Sequence, residues 1–298
     1  MPGTASIRYT RVHSSALVRI EDYLCDEGAG GPSREEEPSG DSIVLVRRGA
    51  FQRHRGRSST VANVNDAAFF SKGVASRVSH PDACGDRGTV LHVEPDTLRD
   101  IVSHADPRDS EREGPLFPFL SGPCSGIVCQ RHLDLLRGLR SRPGDEALRY
   151  EEAALALVAS VVGAAFDRAA AAPFRRRDAT LRDLGDRVNA MKVWLSRHAP
   201  EKVRLCDVAR AAGLSPYHGA RVFRDFTGTS IHRYLTGLRL RSAAEALAEG
   251  AADIGELAHA HGFSSHAHFT AAFRSAFGVT PSVWRAPRRT PPKRARFR

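Results

Sequence analysis

The chain has 298 residues and a formal net charge of +10. That length suffices for two domains, each with its own hydrophobic core. Basic residues are concentrated in the rear: from position 174 onward 23 Lys/Arg stand against 10 Asp/Glu, whereas the first 173 residues carry a net charge of −3. A strongly basic rear half indicates either a polyanionic partner or a merely basic soluble surface, and charge alone leaves both open.

The cysteine content argues against a disulfide framework or a zinc module. The five cysteines are odd in number and lack paired CxxC spacing; they are Cys25, Cys84, Cys124, Cys129 and Cys206. This pattern is typical of a reducing cytoplasm. The N-terminus lacks the pattern of a secretory leader, and no apolar run reaches the roughly 18 residues of a membrane span. We therefore expect a soluble, cytoplasmic protein without a membrane partner.

Residues 16–93 alternate short apolar runs with turn formers, a pattern typical of β-strands. The predicted strands are Ala16–Ile20, Ile43–Val46, Thr60–Val64, Ala67–Phe70, Val74–Ser79 and Thr89–Val93. A mobile loop rich in Gly, Pro and Glu is predicted at Gly28–Gly40. Many short strands at close spacing indicate a small barrel or sandwich.

The histidines do not favour a catalytic metal site. Metal-dependent barrels of the cupin type place paired histidines and a carboxylate on neighbouring strands, but the strand region contains no HxH pair. We interpret His80 and His92 as structural or pocket-lining residues. The HxH pairs near the C-terminus lie on predicted helices, where this spacing directs the two rings to different sides. No catalytic residue, metal or cofactor is predicted.

The hydrophobic period changes after the strands. Helices are predicted at Ile127–Ser141 and Asp145–Arg168, and the second carries an apolar stripe with a seven-residue repeat. These helices would cover the barrel, pair with a second subunit, or both. The following alanines, Pro173 and Arg175–Arg177 are typical of a linker at a domain boundary.

The rear half contains an internal repeat. After a predicted helix at Leu184–His198, a motif of helix, Gly-containing turn and helix occurs twice, which is the helix-turn-helix pattern. Val208-Ala209 and Gly213 recur 49 residues later as Leu257-Ala258 and Gly262, and Phe223 and Gly228 recur 50 residues later as Phe273 and Gly278. Two unrelated amphipathic helices would have little reason to repeat both their apolar and their polar faces at the same spacing. The repeat therefore favours DNA binding.

The predicted spacer between the two copies has a suitable length. Ser230–Glu249 reads as one helix of about 30 Å, at 1.5 Å per residue. This is close to the roughly 34 Å of one DNA turn, the distance between successive major-groove segments on one face. Arg233, Arg239 and Arg241 on this helix are interpreted as available for phosphates.

Three segments of the rear half resemble the bipartite DNA-binding domain of the AraC-type (AraC/XylS) transcription regulators. They are SPYHGARVFRDFTG, IHRYLTGLRLRSAAEAL and GFSSHAHFTAAFRSAFGVTPSVWR. More weakly, SHPDACGDRGTVLHVEP and the two helices after it resemble the cupin-like effector and dimerisation domain of that family. The resemblance therefore extends, in unequal strength, to both halves of the chain.

The resemblance implies an α+β fold with two domains. A cupin-like β-barrel with trailing helices would occupy residues 1–172, a linker residues 173–183, and an all-α DNA-binding domain residues 184–286. Two helix-turn-helix units at about 205–227 and 254–277 would be joined by a linker helix at 230–249. The basic residues 287–298 are predicted to form a disordered tail.

The resemblance also implies a function and its residues: sequence-specific, effector-responsive regulation of transcription, more often activation than repression. The base-facing positions carried over are Tyr217, Ala220, Arg221, His266, Ala267, Thr270 and Ala271, and contacts to phosphate or base are expected from Arg224, Arg233, Arg239 and Arg274. Arg221 is the foremost candidate because a guanidinium can bond guanine O6 and N7 together. The expected partners are double-stranded DNA, RNA polymerase, a small-molecule effector and a second copy in a homodimer.

Two alternatives to this interpretation remain open. A cupin-type small-molecule enzyme could be fused to a DNA-binding module, although no catalytic constellation is evident. The front domain could instead bind a partner protein. One residue departs from the family pattern, because Gly219 stands where a leucine is usual and costs on the order of 1 kcal/mol of helix propensity. The first reading helix is therefore expected to be looser, or repacked around Val222 and Phe226.

Overall fold

The computed structural model describes residues 7–26, 31–81, 85–107, 114–141, 147–171, 178–250 and 253–285. The first part of the predicted Gly28–Gly40 loop, residues 173–177 of the predicted linker and the basic tail at 287–298 lie outside these residues.

The front half contains nine short strands in the described part of the chain. They are β1 (Ile7–Ser14), β2 (Val18–Cys25), β3 (Ser42–Arg48), β4 (Ala50–Arg55), β5 (Ser58–Asn63), β6 (Asp66–Phe70), β7 (Arg77–Ser79), β8 (Asp86–Val93) and β9 (Ser121–Pro123). All six predicted strands have a counterpart, whereas β1, β4 and β9 were not predicted. The prediction of a β-rich front half is therefore confirmed.

The strands form two sheets that do not close into a barrel. The larger sheet has the order β1-β2-β8-β3-β6-β9, and the smaller has the order β5-β4-β7, with antiparallel pairing throughout. No backbone ladder joins one sheet to the other among the described strands. The closed cupin-like barrel implied by the resemblance is thus not observed, and a mixed fold of two sheets and helices takes its place.

The helices occupy the rear half and the end of the front half. They are α1 (Pro95–Ala105), α2 (Gly126–Ser141), α3 (Ala147–Ala170), α4 (Asp178–Arg197), α5 (Leu205–Ala211), α6 (Pro216–Thr227), α7 (Ile231–Ala248), α8 (Ile254–Ala260), α9 (His266–Phe277) and α10 (Pro281–Arg285). Because α4 begins at Asp178, residues 178–183 of the predicted linker are helical. The short α1 and α10 were not predicted.

The two halves do not have separate cores. One buried cluster joins the larger sheet and α1–α3 to the second helix-turn-helix unit, and a second joins strands of both sheets to α4 and the first unit. Helix α7 contributes to both, with Tyr234 and Leu238 in one cluster and Leu240 and Ala244 in the other. Each buried cluster thus takes residues from both halves, and α7 is packed on two sides.

Helix α3 corrects one expectation about membranes. Its mean hydropathy reaches 1.6 over 18 residues, so among the described helices it is long and apolar enough to cross a bilayer. The core helix of a soluble protein passes the same test. Here Leu157, Val158 and Val161 on α3 are fully buried, and the helix packs against α1, α2 and β9.

Candidate DNA-binding interface

The internal repeat of the sequence is a structural repeat. Helices α5 and α6 form the first helix-turn-helix unit, and α8 and α9 form the second. Helices α6 and α9 each have 12 residues and a serine N-cap, Ser215 or Ser265, whose side chain accepts a hydrogen bond from the backbone N–H three residues later. The matching caps fix where both helices begin.

The ends of α6 and α9 also match. Gly228 and Gly278 close them in the left-handed conformation, with φ of 73° and 75°. Beyond these glycines, Tyr234 packs edge-on against Phe223 at 5.2 Å, and Trp284 packs edge-on against Phe273 at 5.5 Å. The repeat therefore includes the start of the following helix, α7 or α10, and the two units are anchored in the same way.

The inward faces of α6 and α9 are as predicted from the sequence. Val222 and Phe223 on α6 are buried, as are Phe269 and Phe273 on α9. The remaining inward positions, Phe226, Ala272 and Ala276, are half-buried. Each helix therefore presents only its opposite face to the surface.

That outer face carries most of the predicted base-facing residues. Tyr217 is 78% exposed, and Arg221, His266, Ala267 and Ala271 are also exposed. The two equivalent positions Ala220 and Thr270 are only half-buried, and the Thr270 hydroxyl oxygen is shielded from solvent. The structure thus presents five of the seven positions openly and holds the other two at the edge of the core.

The predicted phosphate-contacting arginines fall into two groups. Arg224, Arg233 and Arg274 are exposed. The Arg239 guanidinium instead donates hydrogen bonds to the backbone carbonyls of Ala199 and Glu201, at 2.6 and 2.7 Å. In this structure Arg239 fastens α7 to the end of α4 and is not available to a phosphate.

Arg241 is also occupied, which corrects its interpretation as a free cation. Its two terminal nitrogens donate to Asn65 Oδ1 at 2.5 Å and to the Cys124 carbonyl at 2.6 Å. Both acceptors belong to the front half and lie more than a hundred positions away in the sequence. A sequence pattern therefore offers no signal for this role.

Gly219 lies at a close approach of the two helices of the first unit. A Cβ atom at this position would lie 3.1 Å from the Ala209 Cβ on α5. Val222 is buried in the cluster that joins α4 to the first unit, and Phe226 packs against that cluster. The first unit is therefore packed around Val222 and Phe226, which is the second of the two expectations for Gly219.

Helix α4 fastens the first unit to the front half. The Asn189 side chain accepts a hydrogen bond from the Val61 N–H at 3.0 Å and donates one to the Ser59 carbonyl at 3.0 Å. It thereby provides hydrogen-bond partners for two backbone groups of β5. Nearby, the buried Lys192 ammonium donates to both carboxylate oxygens of Asp66 at 2.9 Å. These contacts were not predicted, because no local sequence pattern marks the residues that form them.

A cavity of about 530 Å³ lies between β5, β6 and β9 on one side and α4, α6 and α7 on the other. Four cationic side chains line it, Arg168, Lys192, Arg233 and Arg241, against the single carboxylate of Asp66. The buried Arg241 Nε and Thr229 Oγ1 have no hydrogen-bond partner. The cavity therefore combines excess positive charge with unused donors.

Arg168 lines this cavity and also contacts α6, the second helix of the first helix-turn-helix unit. It lies at the end of α3, and its guanidinium donates hydrogen bonds to the carbonyls of Asp225 and Phe226. A cation at this place compensates the partial negative charge at the C-terminal end of α6. The front half thus contacts the same helix that presents Arg221.

His80, His92 and His261 do not belong to the outer face of α6 or α9. His92 Nε2 is 3.4 Å from a Glu21 oxygen, and His80 borders a small cavity in the front half. His261 is half-buried, with Nδ1 at 2.9 Å from the Leu257 carbonyl. Burial lowers the pKa of His261, so this imidazole is neutral at physiological pH.

Comparison with known proteins identifies relatives of the rear half. A family model described as "Helix-turn-helix domain" matches residues 208–287. The chain is 36% identical over 98 residues to the Right origin-binding protein of Escherichia coli K12, which covers 33% of this chain and 34% of the relative. It is 35% identical over 100 residues to the probable transcription factor PqrA of Proteus vulgaris, which covers 33% of this chain and 82% of the relative. The chain thus spans about a third of the first relative and most of the second.

Two solved structures show weaker likeness. A transcriptional regulator from Chromobacterium violaceum with an AraC-type DNA-binding domain aligns with a TM-score of 0.33 and 28% identity, over 34% of this chain and 89% of that one. ToxT from Vibrio cholerae O395 aligns with a TM-score of 0.33 and 13% identity, over 91% of this chain and 98% of that one.

Proposed function

Because the chain belongs to the AraC family of helix-turn-helix regulators, we propose that it recognises a specific DNA site through α6 and α9 and regulates transcription there. The observation that carries this proposal is the duplicated helix-turn-helix unit, with two identically capped helices whose outer faces are exposed and basic. The spacer α7 has 18 residues, about 27 Å. That length supports insertion of both helices into successive major-groove segments.

The residue roles in this proposal follow from exposure and chemistry. Arg221 contacts a guanine from α6, and Tyr217 and Ala220 flank it. On α9, His266, Ala267, Thr270 and Ala271 face the second groove segment, where the alanines approach thymine methyl groups. Arg224, Arg233 and Arg274 contact phosphates or a neighbouring base. Because much of the contact is to phosphate, affinity falls steeply with added salt.

A pair of substitutions tests this division of roles. Arg221→Ala is expected to reduce the ratio of specific to random DNA affinity, by about 10-fold or more for a lost bidentate contact. Arg233→Ala is expected to weaken binding to both DNAs about equally and to lower the salt slope by about one. The measurement is fluorescence anisotropy at several salt concentrations, on a site identified by genome-wide mapping of bound DNA.

Arg210→Ala is the matched control, because Arg210 is exposed on α5 and pairs with Asp207 at 3.0 Å. It should leave both affinities unchanged. If Arg221→Ala and Arg233→Ala have the same effect on specificity, the division of roles is wrong. If mapping finds no site-specific enrichment, the proposed function itself fails.

The front half, in this proposal, binds a small anionic effector rather than catalysing a reaction, and the protein acts in the cytoplasm as a homodimer that contacts RNA polymerase. A cupin-like ancestry of the front half, with residues 1–172 as an effector and dimerisation domain, is part of the same proposal. The cavity lined by Arg168 and Lys192 supports an anionic effector, because its positive charge exceeds its negative charge and two buried donors lack acceptors.

Carboxylates compared with their uncharged amides test the effector class. A panel of alkyl and aromatic carboxylates should raise the melting temperature more than the matching amides do. Thr229→Val should reduce that difference, because it removes an unpartnered hydroxyl from the cavity wall. Thr236→Val is the control, since its exposed hydroxyl already bonds to the His232 carbonyl. Equal shifts for carboxylates and amides would contradict an anionic effector.

A further inference from the structure

Three potential metal ligands converge inside the front half. Cys25 is the last residue of β2 and lies directly opposite Asp86, the first residue of β8, in the antiparallel register. His80 immediately follows β7. The exposed fractions of Cys25, His80 and Asp86 are 1%, 5% and 3%, so the group is shielded from bulk water.

The ligand atoms of these residues lie within coordinating reach of one another. The Cys25 sulfur, a His80 ring nitrogen and an Asp86 carboxylate oxygen are all within 4.8 Å of each other. His80 Nε2 is 2.7 Å from Asp86 Oδ1. The close approach of the two chain segments depends on Gly85, whose φ is +64° and where a Cβ atom would lie 2.2 Å from the Cys25 carbonyl oxygen.

A second residue orients the carboxylate. The buried Tyr23 hydroxyl donates a 2.6 Å hydrogen bond to Asp86 Oδ2, and Oδ1 therefore faces His80. Such outer hydrogen bonds fix the orientation of ligands at metal sites.

Space for a further ligand adjoins the group. A cavity of about 80 Å³ is lined by Cys25, His80 and Asp86 on one side and by apolar and aromatic side chains, including Phe51 and Phe70, on the other. Zinc sites with three protein ligands keep their fourth position for water or another small ligand.

We propose that Cys25, His80 and Asp86 bind one thiophilic divalent cation, with Zn²⁺ as its representative, and leave a fourth position open toward this cavity. On binding, the Cys25 thiol releases its proton to solvent and forms the metal–sulfur bond. Thiolate and carboxylate together then balance the charge of the cation, so the buried site is neutral overall. The competing explanation is a hydrogen-bonded Tyr–Asp–His network beside a buried thiol.

Metal titration of the full chain tests the site. The purified protein is stripped with a chelator and titrated with Zn²⁺ against a competing indicator, and Co²⁺ serves as a spectroscopic probe. We expect one Zn²⁺ per chain and a thiolate-to-cobalt charge-transfer band. Cys25→Ser should abolish the band and weaken Zn²⁺ binding at least 100-fold, whereas Cys206→Ser, at an exposed cysteine, should change neither.

Tyr23→Phe keeps all three ligands and should weaken Zn²⁺ binding 10- to 100-fold through the lost hydrogen bond to Asp86. If Cys25→Ser does not fold, the cobalt spectrum of the unmodified chain and the Tyr23→Phe titration decide. Substoichiometric Zn²⁺, a cobalt complex without a thiolate band, or unchanged affinity in Cys25→Ser or Tyr23→Phe would overturn the proposal. None of these readouts depends on DNA binding.

Discussion

Gly219 sets the distance between the two helices of the first reading unit. Its missing side chain allows α6 to approach α5, whereas the position 50 residues later is Phe269, a fully buried ring that packs against Phe263 and Phe273. The two units therefore reach the same topology with different packing. In the first unit, close helix contact replaces an aromatic core.

Gly219→Leu tests this packing. Leucine gains about 1 kcal/mol of helix propensity over glycine, but its side chain has no room beside Ala209, and overpacking costs about 1–3 kcal/mol. We expect a net decrease in the free energy of unfolding, measured by urea denaturation. Gly163→Leu is the control, because nothing lies within 4 Å of a Cβ atom there. A Gly219→Leu protein as stable as the parent would show that α6 can move away at no cost.

His132 makes the stability depend on pH. This histidine of α2 is 3% exposed, and burial, with the charges of Arg47 and Arg140, lowers its pKa to about 3. In the unfolded chain its pKa is about 6.5. Between these two values the unfolded state binds a proton that the folded state does not, so stability rises with pH and is lost as pH falls below about 6.5.

Replacing His132 should flatten that dependence. At pH 5 the unfolded state binds this proton and the folded state does not, which lowers the free energy of unfolding by about 2 kcal/mol. We expect His132→Met to lose less unfolding free energy between pH 7 and pH 5 than the parent does, by about this amount. Leu133→Met, at a buried position of the same helix without a titratable group, is the control and should leave the pH dependence unchanged. Identical slopes for His132→Met and the parent would show that other groups control acid unfolding.

At the scale of elements, the rear helices were predictable because local signals mark their ends. Ser265 before α9 and Gly278 after it supply an N-cap and a left-handed C-cap, and the observed helix lies between them. Strand β4 shows the opposite case. Its Arg53 is 1% exposed and lies 4.0 Å over the Phe70 ring, so a charged residue occupies a core position. Alternation of apolar and polar residues therefore does not predict this strand.

The same distinction applies to the candidate sites. The outer faces of α6 and α9 follow from helical periodicity, and five of the seven base-facing positions are openly exposed. The occupied state of Arg241 and the Cys25–His80–Asp86 group depend on segments that only the tertiary fold brings together. Short-range patterns carry no information about such pairs.

At the scale of the molecule, the two halves are joined by both of the buried clusters and by polar contacts between them. One such contact is the hydrogen bonding of α4 to β5 described above. In another, the buried Arg47 of β3 lies 3.3 Å from Glu245 of α7 and 2.9 Å from Asp22 of β2. The orientation of the reading helices is therefore coupled to the packing of the front half. An effector between the halves would act on this coupling.

Lys192 and Asp66 form a buried polar link between the halves. Both are buried, and Asp66 also accepts a 3.0 Å hydrogen bond from the Tyr234 hydroxyl. Lys192→Met leaves the Asp66 carboxylate buried without its cation, so we expect a loss of about 3–5 kcal/mol of unfolding free energy. Adding Asp66→Asn should restore part of that loss, because it removes the uncompensated charge.

Hydrogen exchange measured by mass spectrometry locates the effect. In Lys192→Met, the backbone amides of β5 in the front half and of α6 in the rear half should exchange faster together, because Lys192 of α4 donates to the Val61 carbonyl of β5 and α4 packs against α6. Lys202→Met, at an exposed lysine, should change neither segment. If exchange accelerates in α4 alone while β5 and α6 keep their protection, the halves are held by their apolar clusters and the ion pair contributes only locally.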